Sequence, residues 1–206
     1  MDSHLISLII ARMNRPLPGY HSHNQVMNHR KPIADINFEK LNSRKSAVLL
    51  HLYPFQEKLH ISYIERPIYN GVHSNQISFP GGKFEEHDES LLHTAIREAN
   101  EEVNVDPKEV EVIGSLSEIY IPPSNFLVKP YISFQKTRPN FIADIREVQQ
   151  VIETPLEYLL SQELGNHQII RGTETTQVKG YLINGKVMWG ATAMITKELI
   201  DICNGL

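Results

Sequence analysis

Apolar and polar residues alternate along this 206-residue chain with two different periods. The helical period of about 3.6 residues, together with one proline-initiated segment, predicts helices at 3–13, 89–103, 155–160 and 193–203. Short β-rich runs predict strands at 47–52, 60–64, 77–79, 110–116, 126–134, 147–152, 168–171, 177–182 and 186–189. The last two strands flank Asn184-Gly185, a dipeptide typical of a hairpin turn. The pattern therefore predicts one α+β domain without internal repeats.

The predicted helix at 89–103 has two unlike faces. One face is apolar and consists of Leu92, Ala95, Ile96, Ala99 and Val103. The other carries Glu98, Glu101 and Glu102, which lie within about one turn because residues three and four apart are neighbours. Carboxylates at this spacing repel one another, and Mg²⁺ or Mn²⁺ would offset that repulsion. The alternative interpretation is a solvated helix surface.

A glycine pair upstream favours the metal interpretation. Gly81-Gly82 follows the strand-like run at 76–79 and leads into a loop before the helix. Glycines permit a sharp turn or a close approach of the backbone to a ligand. We therefore expect a backbone carbonyl of this turn to reach a metal held by the helix.

Composition and charge restrict the class of protein further. The formal net charge is −4 with no basic stripe, which argues against a nucleic-acid-binding protein. The single cysteine, Cys203, excludes an intrachain disulfide and fits a reducing cytoplasmic location. The apolar segment at 5–11 is too short to cross a bilayer and lacks signal-peptide flanks, so we expect an amphipathic helix. Residues 1–44 are interpreted as this helix plus an irregular arm packed on a core of residues 45–206.

The segment from Gly82 to Asn104 resembles the signature of the Nudix hydrolases, which reads glycine, spacer, acid, spacer, then Arg-Glu-x-x-Glu-Glu-x-Gly. Arg97, Glu98, Glu101 and Glu102 match it. Counting back from Arg97 assigns the signature acid to Glu89, which makes the spacer after Gly82 one residue longer than usual. Asn104 replaces the final glycine, and asparagine tolerates the left-handed conformation needed there.

The resemblance implies a fold and a set of roles. The fold would be a Nudix-like α/β/α sandwich with a mixed central sheet, plus the N-terminal helical arm. It implies Glu98 and Glu102 as principal metal ligands, Glu101 as a ligand or water-orienting base, and the Gly81 carbonyl as a further ligand. Gly82, Glu89 and Arg97 would be structural, with Arg97 pairing to Glu89 and fixing the loop.

The sequence before the glycine pair is similar to the additional motif of the coenzyme A pyrophosphatase subgroup. Arg66, His73 and Gln76 match that motif and are the expected substrate-binding residues, although pinning the loop is an equally good role for His73 and Gln76. Gly71 stands where the subgroup has a second arginine. Trp189-Gly190-Ala191-Thr192 is similar to a segment near the end of the same subgroup.

We therefore expect a Mg²⁺- or Mn²⁺-dependent hydrolase that cleaves coenzyme A or acyl-CoA to 3′,5′-ADP and 4′-phosphopantetheine. ADP-ribose or another nucleoside diphosphate derivative is the alternative substrate, and a non-catalytic Nudix-fold module is the second alternative. Asp144, Glu147 and Glu153 are candidates for the general base, and Glu147 is preferred. The expected partner is a small-molecule nucleotide rather than nucleic acid or membrane, with a homodimer left open.

Overall fold

The computed structural model describes residues 2–28, 30–67, 75–171 and 174–205. The helices of this part are α1 (Asp2–Met13), α2 (Tyr20–Val26), α3 (Phe38–Leu41), α4 (Leu91–Val103), α5 (Leu156–Ser161) and α6 (Gly190–Asn204). The strands are β1 (Arg44–Phe55), β2 (Lys58–Glu65), β3 (Ile77–Ser78), β4 (Gly81–Lys83), β5 (Glu111–Ser115), β6 (Ile119–Ile121), β7 (Phe126–Phe134), β8 (Gln150–Pro155), β9 (Gly165–Arg171), β10 (Glu174–Ile183) and β11 (Lys186–Trp189).

Strand β1 lies at the centre of a mixed sheet. On one side it pairs in parallel with β7 along its length, and on the other it pairs antiparallel with β4 and then with β2. The remaining strands of this sheet extend from β2 and β7: β3 and β8 pair with β2, and β5 and β6 pair with β7. A second, antiparallel sheet has the order β11-β10-β9. These pairings confirm the predicted α+β class with a mixed central sheet.

Helices cover both faces of the central sheet because successive β1 side chains point to opposite sides. Leu50 and Leu52 join the larger cluster, to which α1, α2, α5 and α6 contribute. Ala47 and Leu49 face the smaller cluster, which includes Ala95, Ala99 and Val103 of α4. Helix α4 and helix α6 therefore pack against opposite faces of the sheet, as the α/β/α prediction requires.

The glycine pair belongs to a strand rather than to the predicted turn. Gly81 and Gly82 pair with Val48 and Ala47 of β1. Gly81 has a φ of 150°, and a Cβ there would lie 2.3 Å from the Ala47 carbonyl oxygen. Only glycine lets β4 approach β1 this closely.

Several predicted boundaries need correction. The predicted strand at 147–152 begins at Gln150 instead, because the amides of Glu147 and Val148 close a turn on the Asp144 carbonyl. Helix α4 begins at Leu91 rather than 89, since Ser90 is its N-cap. The Asn184-Gly185 hairpin turn is confirmed, with φ values of 49° and 74° between β10 and β11.

The N-terminal segment is more regular than predicted. The arm at 14–44 contains α2, α3 and a short 3₁₀ turn at Ile33–Asp35. Ile6, Ile9 and Val26 are buried in the same cluster as α6, so α1 and α2 share its core. No helix in the described ranges is long and apolar enough to span a membrane.

Candidate active site

Helix α4 is positioned by its caps and by its apolar face. The Ser90 hydroxyl accepts from the His93 amide at the N-terminus, and Asn104 takes the left-handed conformation at the C-terminus with φ 61°. Burial of Ala95, Ala99 and Val103 fixes the rotation of the helix on the sheet. Glu98 and Glu102, one turn apart, consequently lie beside β4.

Glu102 is buried beneath the glycine strand. Its Oε2 accepts from the Gly81 amide at 2.9 Å, and its Oε1 lies 3.8 Å from Nη2 of Arg66. Burial raises the pKa of Glu102 to about 8, and the negative charges of Glu98 and Glu147 add to that rise. The Gly81 residue therefore contacts Glu102 through its amide. The metal-binding role of the Gly81 carbonyl stays a prediction.

Glu98 packs directly on Gly82. A Cβ on Gly82 would lie 2.3 Å from the Glu98 carboxyl carbon, so only glycine leaves room for this carboxylate. Burial raises the pKa of Glu98, and repulsion from Glu101 and Glu147 raises it further. The guanidinium of Arg97, whose Nη2 lies 3.0 Å from Oε1 of Glu98, acts in the opposite direction and lowers this pKa. Glu98 and Glu102 are thus two desolvated carboxylates, and the charge of Glu98 disfavours the charge of Glu102.

Glu101 does not converge with the other two glutamates. Its exposed carboxylate accepts from Nη1 of Arg97 at 2.9 Å, which holds it on the loop side of the helix. No three His, Cys, Asp or Glu side chains form a metal-holding group in the ranges that the structure describes. The charge of Glu101 still raises the pKa of Glu98, and the metal-binding role of Glu101 stays a prediction.

The prediction that Arg97 pairs with Glu89 is wrong, because Asp88 is the partner. Arg97 donates from Nε to Oδ1 at 2.8 Å and from Nη2 to Oδ2 at 3.0 Å. Asp88 is buried and also accepts from the Glu85 amide, the Thr94 hydroxyl and His93 Nδ1, whereas Glu89 is exposed. These bonds hold the pKa of Asp88 well below its usual range, with Arg97 as the largest cause.

The position of Asp88 changes how the motif is aligned. The additional residue of the segment lies between the acid and Arg97, not between Gly82 and the acid. The usual spacing counted forward from Gly82 identifies Asp88, because the path of the loop after β4 determines which acid meets Arg97.

The loop that carries Glu147 is docked on the end of α4. The Ile142 and Asp144 amides donate to the carbonyls of Val103 and Glu102, which the helix itself leaves unpaired. The turn at 144–148 then presents Glu147, which is exposed but close enough for its charge to raise the pKa values of Glu98 and Glu102. The loop thus brings the preferred candidate base to the site.

The other two candidate bases are engaged elsewhere. Asp144 is paired with Arg146, which lowers the pKa of Asp144 to about 2 and makes it a weak base. Glu153 accepts from two nitrogens of Arg138 and from the Tyr53 hydroxyl. Neither carboxylate is among the charges that act on Glu98 or Glu102.

The structure describes two of the three predicted substrate-binding residues, Arg66 and Gln76. Arg66 lies beside Glu102, as described, and its amide donates to the Gln76 carbonyl at 3.0 Å. Gln76 is therefore held next to the site by its backbone. His73 lies outside the described residues. All three substrate-binding roles stay predictions.

Comparisons with known proteins agree with this geometry. Residues 43–165 match the family model of the NUDIX domain. NudL of Citrobacter koseri, described as an uncharacterized Nudix hydrolase, is 33% identical over 171 residues, covering 80% of this chain and 85% of that protein. NudL of Photorhabdus laumondii, described likewise, is 30% identical over 159 residues, covering 77% and 84%.

A solved structure supports the fold. The MutT protein from Methanosarcina mazei Go1 superposes with a TM-score of 0.51 at 16% identity, covering 79% of this chain and 96% of that one.

The family match spans β1 to the start of β9, and it contains Glu98, Glu102 and Glu147. The chain therefore belongs to the Nudix hydrolase family and is a pyrophosphohydrolase.

Proposed function

We propose that this enzyme is a Mg²⁺- or Mn²⁺-dependent hydrolase of coenzyme A or its thioesters. The observation that carries the metal-dependent part is the Glu98–Glu102 pair. Both side chains are desolvated, the charge of Glu98 raises the pKa of Glu102, and the charge of Glu147 raises the pKa of both. A divalent cation with hard oxygen ligands would relieve this repulsion, so the donor set fits Mg²⁺ or Mn²⁺.

Glu98 and Glu102 would hold the cation, with Glu101 and the Gly81 carbonyl as further predicted ligands. When bound, the cation supplies charge neutralisation at the phosphate and lowers the pKa of water. The desolvation that raises both pKa values also strengthens the attraction of the two carboxylates for such a cation. Gly82 keeps this arrangement open, because any side chain there would displace Glu98.

The remaining groups have roles around the reacting phosphates. Glu147 would accept the proton of the attacking water, since it is exposed and its charge acts on both glutamates of the pair. Arg66, half-buried beside Glu102, would draw the diphosphate to the site. Water attacks one phosphorus, the bridging phosphoanhydride bond breaks, and each half leaves as a phosphate monoester. Coenzyme A would give 3′,5′-ADP and 4′-phosphopantetheine.

The coenzyme A assignment is supported by the sequence at 66–82, where Arg66, His73 and Gln76 match the subgroup's motif, and by Arg66, which lies 3.8 Å from Glu102. Gly71, in the position of the subgroup's second arginine, favours the alternative of ADP-ribose or another nucleoside diphosphate derivative. Position 71 lies outside the described residues, so this alternative depends on sequence alone.

A substrate panel with metal titration tests the proposal. Coenzyme A, acetyl-CoA, ADP-ribose and diadenosine polyphosphates would be incubated with Mg²⁺ or Mn²⁺, and the products separated by chromatography. We expect kcat/KM to be highest for coenzyme A or its thioester, with 3′,5′-ADP released. Faster cleavage of ADP-ribose or a dinucleotide would reject the coenzyme A assignment while keeping the hydrolase.

A further inference from the structure

A cavity of about 440 Å³ lies between the N-terminal arm and the edge of the central sheet. Two of its lining residues, Ile119 and Met194, belong to the larger hydrophobic cluster, whereas α4 packs against the smaller one on the opposite face. Of the described residues that line the cavity, none belongs to the candidate active site. Its volume is within the range of small-molecule sites, roughly 300–1,000 Å³. The cavity is therefore separate from the glutamate pair.

The sheet has an irregular edge beside this cavity. Strand β5 pairs with β7 as far as Ser115, and β6 resumes the pairing at Ile119. The loop at 116–118 leaves the strand path between them, so Lys129 of β7 faces this loop rather than a strand. The Nζ atom of Lys129 donates to the Leu116 carbonyl at 3.1 Å. This bond holds the ammonium group at the irregular edge.

A buried carboxylate joins the arm to this loop. Glu198 of α6 is fully buried, and it accepts from the Gly19 amide and from the Ser117 amide and hydroxyl. Its other oxygen lies 2.9 Å from Nε2 of His23. Both oxygens of Glu198 are thereby occupied. The walls of the cavity are thus fixed by specific bonds, and Glu198 is not a counter-ion for the cations that line it.

The lining of the cavity is positively charged. Arg30, Lys31 and Lys129 line it together with one acid, Glu118. Among the side chains that the structure describes, no carboxylate lies within 4 Å of any of these three cations, although lysines and arginines elsewhere on the molecule have such partners. The whole chain carries a formal net charge of −4, so this excess of cations is a local reversal.

Arg30 makes the strongest demand for an anion. Its carbonyl accepts from the Tyr20 hydroxyl at 2.9 Å, and its Nη1 contacts the Met194 sulfur at 3.4 Å. The guanidinium is half-buried, and this desolvation lowers the pKa of Arg30. A desolvated cation without a charged partner is unfavourable, and an anion would offset that cost. The fork of the guanidinium suits two oxygens of a phosphate or carboxylate.

Apolar side chains complete the lining. Ile33 and Ile36 of the arm stand with Ile119 and Met194 around the cations. A cavity with a few polar groups in an otherwise apolar lining is typical of a small-molecule site. The lining therefore fits a small molecule that has one acidic group and an apolar body.

We propose that this cavity binds a small molecule through a phosphate or carboxylate group, which Arg30 and Lys129 hold from opposite walls. Arg30 belongs to the arm and Lys129 to β7, so the bound anion joins the arm to the central sheet. The site is separate from the reaction centre, and the inference does not depend on which diphosphate the enzyme hydrolyses.

Calorimetry with simple anions tests the proposal. Inorganic phosphate, butyl phosphate and butyrate would each be titrated into the full-length protein without added divalent cation, with sodium chloride at matched ionic strength as the reference. At least one of the three should bind, and butyl phosphate should bind more tightly than inorganic phosphate because of the apolar wall. Preference for the phosphates or for butyrate identifies the acidic group. Binding of none of them would overturn the proposal.

Substitutions locate the bound anion. Arg30→Met should weaken the binding of the tightest probe about 10- to 100-fold, the size of a lost bond between charged groups. Arg15→Met is the matched control, because Arg15 is an exposed cation of the same segment outside the cavity. Arg66→Met removes the cation beside Glu102, and it should also bind as wild type does. Wild-type affinity of Arg30→Met, or a loss of equal size in Arg66→Met, would overturn the assignment to this cavity.

Limited proteolysis measures the effect on the arm. The tightest probe should slow cleavage within residues 20–36 of wild type and of Arg15→Met, but not of Arg30→Met. Thermal melts identify any variant that fails to fold. If Arg30→Met is unstable, Lys31→Met tests the same lining from an exposed position and should weaken binding by a smaller factor. Equal protection of wild type and the folded cavity variant would contradict the proposal.

Discussion

Arg97 and Asp88 form a two-point ion pair, with Nε 2.8 Å from Oδ1 and Nη2 3.0 Å from Oδ2. The pair ties helix α4 to the loop that leaves β4. Arg97 also contacts Glu98 and Glu101, so one guanidinium connects the structural acid to the glutamates of the site. The geometry of the active site thus depends on which acid the loop presents to Arg97.

Asp88→Asn should destabilise the protein, whereas Glu89→Gln should not. Asp88→Asn removes the charged acceptor of Arg97 and should cost about 1.5–3 kcal/mol in free energy of unfolding at pH 7. Glu89→Gln changes an exposed side chain and should stay within about 0.5 kcal/mol of wild type. Urea denaturation of both variants measures the difference. Equal effects would restore Glu89 as the partner of Arg97.

The same pair should give a pH dependence of known sign. Because the folded-state pKa of Asp88 lies below its unfolded value of about 3.9, its stabilisation is present above that pH and is lost as the pH falls. The stability gap between wild type and Asp88→Asn should therefore narrow below about pH 4. A gap that stays constant down to pH 2.5 would contradict the assignment.

Because of His51, the free energy of unfolding should decrease as the pH falls from about 6.5 to about 4. This side chain is fully buried between Ser133 and Gln135, and burial lowers the pKa of His51 to about 4. The neutral ring is favoured in the folded state, so stability is full above the unfolded pKa of about 6.5 and falls by up to ~1.4 kcal/mol per pH unit below it. His51→Gln should remove this slope in urea titrations, and an unchanged slope would assign it to other groups.

Gly82→Ala and Gly81→Ala should fail in different ways. An added Cβ at Gly82 meets the movable carboxylate of Glu98, so the variant should fold and lose activity about 10- to 100-fold. At Gly81 the Cβ meets the β1 backbone and φ is 150°, so stability should fall instead. Thermal melts and hydrolysis rates separate the two. A fully active Gly82→Ala would show that Glu98 is not at the reaction centre.

Glu198→Gln should loosen the N-terminal arm. It removes the buried charge that accepts from Gly19, Ser117 and His23, at a cost of about 1.5–3 kcal/mol. Limited proteolysis should then cleave the segment at 20–36 faster than in wild type. Asp201→Asn on the same helix, which loses pairs with Ser22 and Lys197 that lie nearer the surface, serves as the comparison. Equal cleavage of wild type and Glu198→Gln would show that the arm is held by other contacts.

The sequence predicted those elements of the fold whose conformation is determined by neighbouring residues in the chain. The two-faced pattern of 89–103 predicted α4, and Asn184-Gly185 predicted its hairpin turn, because helix periodicity and turn chemistry are set by neighbouring residues. The pairing of Gly81 with Val48 was missed, since it joins positions 33 residues apart and leaves no alternating pattern in three residues. The arm helix α2 was missed because its polar composition lacks an apolar period.

The candidate site was predictable to a similar extent. The spacing of Glu98 and Glu102 predicted that they share a face, and the structure adds their desolvation and the contact with Gly82. Asp88 could not be chosen over Glu89 by spacing, because the path of the loop from β4 decides which acid meets Arg97.

The most direct test of the account is phosphoanhydride hydrolysis by Glu102→Gln across a titration of Mg²⁺ and Mn²⁺, with Glu109→Gln as the exposed control. We expect Glu102→Gln to keep a cooperative thermal melt and to lose at least about 100-fold in kcat/KM, because a proposed cation ligand is removed. Glu109→Gln should retain full activity. Wild-type turnover by Glu102→Gln, or wild-type hydrolysis that persists unchanged in chelator, would contradict the central claim that Glu98 and Glu102 hold a catalytic divalent cation.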